Sequence, residues 1–265
     1  MAPTTGSHFI TIRVDDGKAR PTHFFVQKDV LCRTSPFMQA RCKPEWSQND
    51  NNTIILPETT PQAFQIYIDW LYHGSVCPSK YATLEESSKA YFVLGTAYVL
   101  GEILQDIPFG IAIIDTLHQR CLLEDFEPSV AWIVDIITVI YNGTTNQSGA
   151  RRFVTDMVVV KNVSAELWDY SDDLHKDFFR DLARSYHVKG GTEAAGLRWT
   201  SPGCHYHAND LENTCPCLIA NEANHGTKSQ SAKRKTPTRD ESGGVKFLRL
   251  NRVEQWSDNA GILWV

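Results

Sequence analysis

Alternating apolar and polar residues indicate two short strands near the start of the chain. In residues 9–14 every second residue, Ile10, Ile12 and Val14, is apolar and lies on the same face, which is the period of a half-buried strand. Residues 23–26 have the same character and follow a turn cluster at 15–17, so the two segments predict a hairpin. A polar loop then leads to a third short strand, expected at 53–56.

A helical period replaces the strand period along most of the chain after residue 28. A short helix is expected to start at Pro36, because proline suits the first turn. The clearest helix has Thr60 as its N-cap, Pro61 in its first turn and Gly74 at its end. The next helix starts with a capping box, and we expect Gly101 to break it. Further helices are expected across 103–117, 128–141, 151–160 and 173–186.

These patterns divide the chain into four parts. We expect a disordered N-terminus at 1–8, an α+β domain at 9–122 and a helical extension at 123–188. Residues 189–265 are expected to form a low-order tail with a Cys/His cluster. Much of this tail is rich in Ser, Lys, Thr and Gly, a composition that buries too little apolar surface to offset the entropy of ordering.

Three segments of the α+β domain carry motifs in a fixed order. Residues 26–31 read V-Q-K-D-V-L and are followed by S-P-F at 35–37; residues 55–74 run from I-L-P-E to W-L-Y-H-G. Residues 91–104 are lined by tyrosine and leucine, as in a helical hairpin. Together these segments resemble the BTB/POZ family. The resemblance covers about residues 9–120. It implies an α+β fold, with a small three-stranded sheet and helical hairpins followed by an α-helical extension.

The region after residue 123 is similar to the helical extension of many fungal BTB proteins. The similarity rests on the tyrosine loop at 139–144, the arginine-led helix at 151–153 and the acidic-aromatic helix around 173–183. It implies that this part packs as helices beside the BTB/POZ domain.

The resemblance also implies a function, non-catalytic association with another protein. BTB adaptors of cullin ubiquitin ligases often carry a hydrophobic-x-acidic motif, and the corresponding residues here are Trp46, Ser47 and Gln48. Gln48 offers an amide, which cannot pair with a cation as a carboxylate does. Trp46 at a loop edge is a good interface anchor. We expect these three residues, with Tyr67 and Tyr72 of the helix after Thr60, to form the interface.

The sequence also bears on how the chain forms dimers. Many BTB dimers use a strand and a helix before the first strand. Eight residues precede Phe9, so we do not expect that dimer mode, and a homodimer of another kind stays open.

The formal net charge of −5 disfavours nucleic-acid binding, and no apolar stretch is long enough to cross a membrane. Without a secretory signal, the seven cysteines are expected to be reduced in the cytoplasm or nucleus.

Signatures of enzymes are missing from the sequence. It contains no glycine-rich phosphate loop, no Gly-x-Ser-x-Gly elbow and no His-Glu-x-x-His motif. We therefore expect no catalytic residues and no required cofactor.

One local constellation suits a metal. Cys204, His207, Cys215 and Cys217 offer four ligands around a short loop, which favours a structural zinc ion that clamps the tail. The alternative is a disordered tail that holds these residues by chance.

Three hypotheses for the biological role remain open. The chain is an interaction module without ubiquitin involvement, a substrate adaptor of a cullin-RING ubiquitin ligase, or a nuclear transcription-linked factor. The last of these would use the basic run Lys233-Arg234-Lys235 for nuclear import, and a solvated linker is the alternative interpretation of that run.

Overall fold

Three short strands form a mixed sheet at the start of the chain. Strand β1 (Phe9–Asp15) lies between β2 (Thr22–Gln27), to which it is antiparallel, and β3 (Thr53–Pro57), to which it is parallel. Alternate residues of β1 are buried, which confirms the predicted two-residue period. The structure is a computed structural model and describes residues 9–17, 20–43, 53–76, 87–122, 129–187, 191–200 and 204–207.

Two short helices follow β2: α1 (Lys28–Leu31) and α2 (Pro36–Arg41). Ser35 is the N-cap of α2, and its Oγ accepts a hydrogen bond from the Met38 backbone N–H at 3.1 Å. The same hydroxyl donates to the carbonyl of Leu104 at 2.6 Å. The fully buried Ser35 side chain therefore caps α2 and also links this helix to Leu104, 69 residues further along the chain.

Helix α3 (Pro61–His73) follows β3 and has the predicted bounds. The Thr60 hydroxyl accepts a hydrogen bond from the Ala63 backbone N–H at 3.2 Å, as an N-cap does. Gly74 ends the helix with a φ of 69°, a left-handed conformation in which a Cβ would be strained.

Helices α4 (Ser87–Ile103) and α5 (Ile107–Cys121) follow and lie within the predicted α+β domain. The prediction that Gly101 breaks α4 is wrong, since the helix continues for two more residues. A single glycine costs a helix little, and here a Cβ would lie 3.1 Å from the Phe109 ring. Asp106 starts α5 by accepting a hydrogen bond from the Phe109 backbone N–H at 3.2 Å.

The extension contains α6 (Val130–Gly143), α7 (Gly149–Lys161), a 3₁₀ turn (Glu166–Tyr170) and α8 (Lys176–His187). Helix α6 packs on α4, and α7 packs on both α6 and α8. Helix α7 is the most enclosed of these elements, because almost all of its residues are buried.

Ordered structure continues beyond the predicted end of the extension. Helix α9 (Gly191–Thr200) packs on α7 and α8, and a 3₁₀ turn (Cys204–Tyr206) packs on α7. The prediction of a low-order tail from residue 189 is therefore wrong for 191–200 and 204–207. Trp199 and Tyr206 are 3% and 4% exposed, and the burial of these two aromatic side chains anchors both segments.

One hydrophobic core runs from Ile10 in β1 to Tyr206 and crosses the predicted domain boundary at 122. The first domain and the extension thus share their apolar interior over the described residues. Within the described part of the chain, no helix is both long and apolar enough to span a membrane.

Candidate functional site

Tyr67, one of the predicted contact residues, is fully buried. Its hydroxyl donates to Asp106 Oδ2 at 2.9 Å, and the Thr34 hydroxyl donates to the same oxygen at 2.6 Å. Burial and the nearby carboxylate raise the pKa of Tyr67 well above its usual value, so the hydroxyl stays a donor. The prediction that Tyr67 contacts a partner is wrong, because it faces inward and fixes α3 to the start of α5.

Tyr72 lies on the accessible side of the same helix and is 48% exposed. Its hydroxyl oxygen accepts a long hydrogen bond, 3.4 Å, from the backbone N–H of Gln27 at the end of β2. The ring is therefore held beside the sheet while half of its surface faces solvent. Its role as a contact residue stays a prediction.

Three large apolar side chains lie exposed on one side of the sheet. Phe25 is opposite Thr11 and Ile55 is opposite Arg13 in the two ladders, and both partners alternate with Phe9 along β1. Directly opposed residues and alternate residues share a face, so Phe9, Phe25 and Ile55 define one surface, here called the outer sheet face. They are 51%, 70% and 42% exposed.

The remaining predicted contact residues are Trp46, Ser47 and Gln48. They lie outside the described residues, between the end of α2 and the start of β3. Their role at an interface stays a prediction.

A cleft of about 1220 Å³ lies between the α4–α5 connection and the extension. Ile107, Gly110 and Ile111 line it on the side of α5, whereas Arg152 and Arg198 line it on the side of the extension. A volume of this size is at or above the upper end of ordinary ligand pockets.

Arg151 organises the loop beside this cleft and is itself buried. Its guanidinium donates to the Tyr141 carbonyl at 2.9 Å, to Asn146 Oδ1 at 2.9 Å and to Thr144, and it lies 4.6 Å from the centre of the Tyr141 ring. Arg151 therefore holds the loop between α6 and α7 through hydrogen bonds to oxygen atoms and through the face of the Tyr141 ring.

Asp156 on α7 collects donors from three other elements. The Arg198 guanidinium binds its two oxygens at 2.7 and 2.5 Å, the Tyr206 hydroxyl donates to Oδ2 at 3.1 Å, and the Ser185 hydroxyl donates to Oδ1 at 3.3 Å. The carboxylate side chain is 4% exposed. Burial, and then Asp156 itself, raise the pKa of Tyr206, which therefore remains protonated as a donor.

Arg152 on α7 holds the turn that carries Tyr206. It donates to the carbonyls of His205 and His207 at 3.1 and 3.0 Å, and to the carbonyl of Gln147 at 3.0 Å. Gly149 faces the same turn so closely that an added Cβ would collide with the Tyr206 carbonyl. The turn and the first residues of α7 are thus in main-chain contact.

His207, a predicted zinc ligand, has a carboxylate partner. Its Nε2 lies 2.8 Å from Asp115 Oδ1 on α5, and the ring is buried. In the described part of the chain no three His, Cys, Asp or Glu residues are placed to hold a metal ion. Cys215 and Cys217 lie outside the described residues, as does the side chain of Cys204, so the zinc site stays a prediction.

The described thiols are not arranged for chemistry. Cys42 and Cys121 are buried, and Cys32 is partly buried. Burial raises the pKa of Cys121 to about 12 and that of Cys32 to about 12, so neither forms the reactive thiolate at neutral pH.

Sequence reasoning missed the residues that matter most in the cleft, namely Asp156, Arg152, Arg198 and Tyr206. Tyr206 stands inside the Cys-His-Tyr-His segment, in which the metal ligands are the more conspicuous residues. A buried acidic residue in an apolar helix was the available signal, because a charge in that setting needs a partner.

These observations define an α+β domain, a small mixed sheet with helical hairpins, joined to a helical extension. The family model of the BTB/POZ domain matches residues 10–104, so this part of the chain is a BTB/POZ domain. The domain is a protein-interaction domain, of a family that is generally not enzymatic. The match ends after α4, so α5 and the extension lie beyond it. No curated protein matches the chain.

Proposed function

We propose that the chain binds another protein through the outer sheet face together with Tyr72. The observation that supports this is the exposure of Phe9, Phe25 and Ile55 on one side of a short sheet in a domain of an interaction family. Exposed apolar side chains that cluster on one surface are typical of protein contacts, and a rigid sheet loses little entropy on binding.

Affinity capture from a native extract tests this surface. The full chain with Phe25→Asp is expected to lose the proteins that the unchanged chain captures, because a carboxylate would be buried without a partner. Phe25 is 70% exposed, so the free energy of unfolding should change by less than about 0.5 kcal/mol.

Leu197→Asp is the matched control, since Leu197 is 63% exposed but lies on α9. This variant should capture the same proteins as the unchanged chain. Equal capture by the Phe25→Asp chain would rule against the outer sheet face.

A more specific proposal is a substrate adaptor of a cullin-RING ubiquitin ligase, supported by the BTB/POZ domain; Gln48 departs from the motif of such adaptors, because it stands where their acidic residue is found. In this role the extension or the tail binds the substrate. Pull-down with a cullin N-terminal domain tests it, and Gln48→Glu should strengthen the binding by restoring the carboxylate. An absence of binding at micromolar concentration, for the unchanged chain and this variant, contradicts it.

The alternative proposal is a nuclear, transcription-linked factor that uses the basic run Lys233-Arg234-Lys235. Replacing the three residues by alanine should shift the protein from nucleus to cytoplasm. An unchanged distribution contradicts this role and leaves the first proposal untouched.

A structural zinc ion in the tail remains a separate proposal, supported by the ligand types of Cys204, His207, Cys215 and Cys217. Denatured full chain should release one zinc ion per molecule, and a Cys215→Ser, Cys217→Ser variant should release none. Metal-free protein from zinc-supplemented cells would show that the residues serve another purpose.

A further inference from the structure

The Tyr206 side chain occupies a fitted aromatic pocket. Its ring lies 5.6 Å from the Phe153 ring and 5.5 Å from the His118 ring, both edge-to-face, and 6.4 Å from the Trp199 ring. Its hydroxyl reaches the buried Asp156 carboxylate at 3.1 Å. The pocket therefore combines aromatic walls with one acceptor at its base, and the acceptor distinguishes a tyrosine ring from a phenylalanine ring.

The main chain on either side of Tyr206 is bound separately from its side chain. Arg152 donates to the carbonyls of His205 and His207, and Gly149 permits close approach of the Tyr206 carbonyl. Peptide-binding sites use the same division, with main-chain hydrogen bonds for affinity and a side-chain pocket for specificity.

The occupied pocket opens into a much larger space. His205, Tyr206 and His207 form part of the wall of the 1220 Å³ cleft, which extends along Ile107 and Ile111 of α5. This volume is space that stays open while the Tyr206 side chain lies in its pocket. The cleft can therefore accept a longer segment than the four described residues of the turn.

We propose that the aromatic pocket and the adjoining cleft together form a peptide-binding site, and that Cys204–His207 is the resident, displaceable occupant of the pocket. The ligand class is a short peptide with a tyrosine for the pocket, followed by a residue that pairs with Asp115. A partner carrying such a segment gains access by displacing the chain's own turn, which acts as an intramolecular competitor. This inference concerns the α5–α7–α9 side of the molecule and does not depend on the outer sheet face.

Hydrogen exchange on the full chain tests whether Tyr206 anchors the turn. In Tyr206→Ala the backbone amides of 204–207 and of the first turn of α7 should exchange roughly a hundredfold faster than in the unchanged chain, because a buried aromatic anchor is lost. Tyr206→Phe, which loses the hydroxyl alone, should show a smaller increase of roughly tenfold. Unchanged exchange in Tyr206→Ala would overturn the proposal.

Binding of a labelled peptide tests whether the emptied site is a receptor. The probe has the sequence of residues 202–209, with Cys204→Ser to prevent oxidation. It should bind the full-length Tyr206→Ala chain at least about a hundredfold more tightly than the unchanged chain, in which the tethered turn competes at an effective concentration in the millimolar range.

The same probe with alanine in place of tyrosine should not bind either chain. Binding that ignores this tyrosine, or no binding to the Tyr206→Ala chain at about 1 mM peptide, overturns the proposal. Should Tyr206→Ala fail to fold, His207→Ala replaces it, because this variant loosens the turn from Asp115 and leaves the aromatic pocket intact. The probe should then bind with intermediate affinity. An absence of binding to the His207→Ala chain would contradict the proposed site.

Discussion

The guanidinium of Arg198 and the carboxylate of Asp156 form a two-point ion pair, with distances of 2.7 and 2.5 Å, between α9 and α7. The hydrogen bond that Arg198 donates to Asp156 raises the pKa of the Arg198 guanidinium. The carboxylate side chain is 4% exposed, whereas the Arg198 side chain is 24% exposed. When the pair is broken, the guanidinium can be hydrated, whereas the buried carboxylate has no access to solvent.

Arg198→Ala is expected to lower the free energy of unfolding by about 2 kcal/mol, because it leaves a buried carboxylate with two neutral donors. Chemical denaturation of the full chain measures the change. Arg184→Ala is the control: its side chain is 70% exposed and 3.4 Å from Asp181, so the loss should stay below about 0.5 kcal/mol. Equal losses in the two variants would contradict a special role for Asp156.

The elements of the BTB/POZ domain are predictable because their signals are local. Thr60 and Gly74 act on backbone groups within a few residues, and the two-residue period of 9–14 is read directly from the sequence. The error at Gly101 has the opposite origin: whether a glycine ends a helix depends on what packs against it, and Phe109 packs there.

The cleft was not predictable from the sequence, because its contacts are long-range. Arg198 and Tyr206 reach Asp156 across 42 and 50 residues. A short helix with glycine at both its first position and its middle, such as α9, also has little helical propensity of its own. Its stability comes from packing, which no local pattern records.

Gly149→Ala is expected to destabilise the chain by about 2 kcal/mol, because the new methyl group meets the Tyr206 carbonyl and the backbone has to shift. Gly196→Ala is the matched control in α9, where an added Cβ meets nothing within 4 Å. That substitution should stabilise the chain by about 0.5 kcal/mol through helix propensity. Thermal unfolding followed by circular dichroism distinguishes the two; the same sign for both would show that the turn gives way freely.

Tyr67 and Tyr72 are five residues apart on α3, which places them about 140° apart around the helix axis. Tyr67→Phe should cost about 1–2 kcal/mol of unfolding free energy, since the buried Asp106 loses a donor. Tyr72→Phe should cost less than about 0.5 kcal/mol, because the Gln27 N–H that it leaves is exposed. Denaturation curves for the two variants provide the test, and a larger loss for Tyr72→Phe would reverse the assignment of the two faces.

Alkaline pH is expected to unfold the chain through its buried tyrosines. Burial raises the pKa of Tyr98 from 10.0 to about 12. A folded-state pKa above the unfolded one favours the protonated form of the folded chain, so the stabilisation is complete below pH 10 and is lost as the pH rises towards 12. Tyr67, Tyr91, Tyr141 and Tyr206 have pKa values raised first by burial as well.

Each such tyrosine should contribute a slope of about 1.4 kcal/mol per pH unit above pH 10. Urea denaturation at a series of pH values, with tyrosinate absorbance recorded in parallel, measures this loss. Tyr98→Phe keeps the ring and removes one titrating group, so its slope should be shallower by about that amount. Complete tyrosine ionisation near pH 10 with the helical circular dichroism retained would contradict the burial of these hydroxyls.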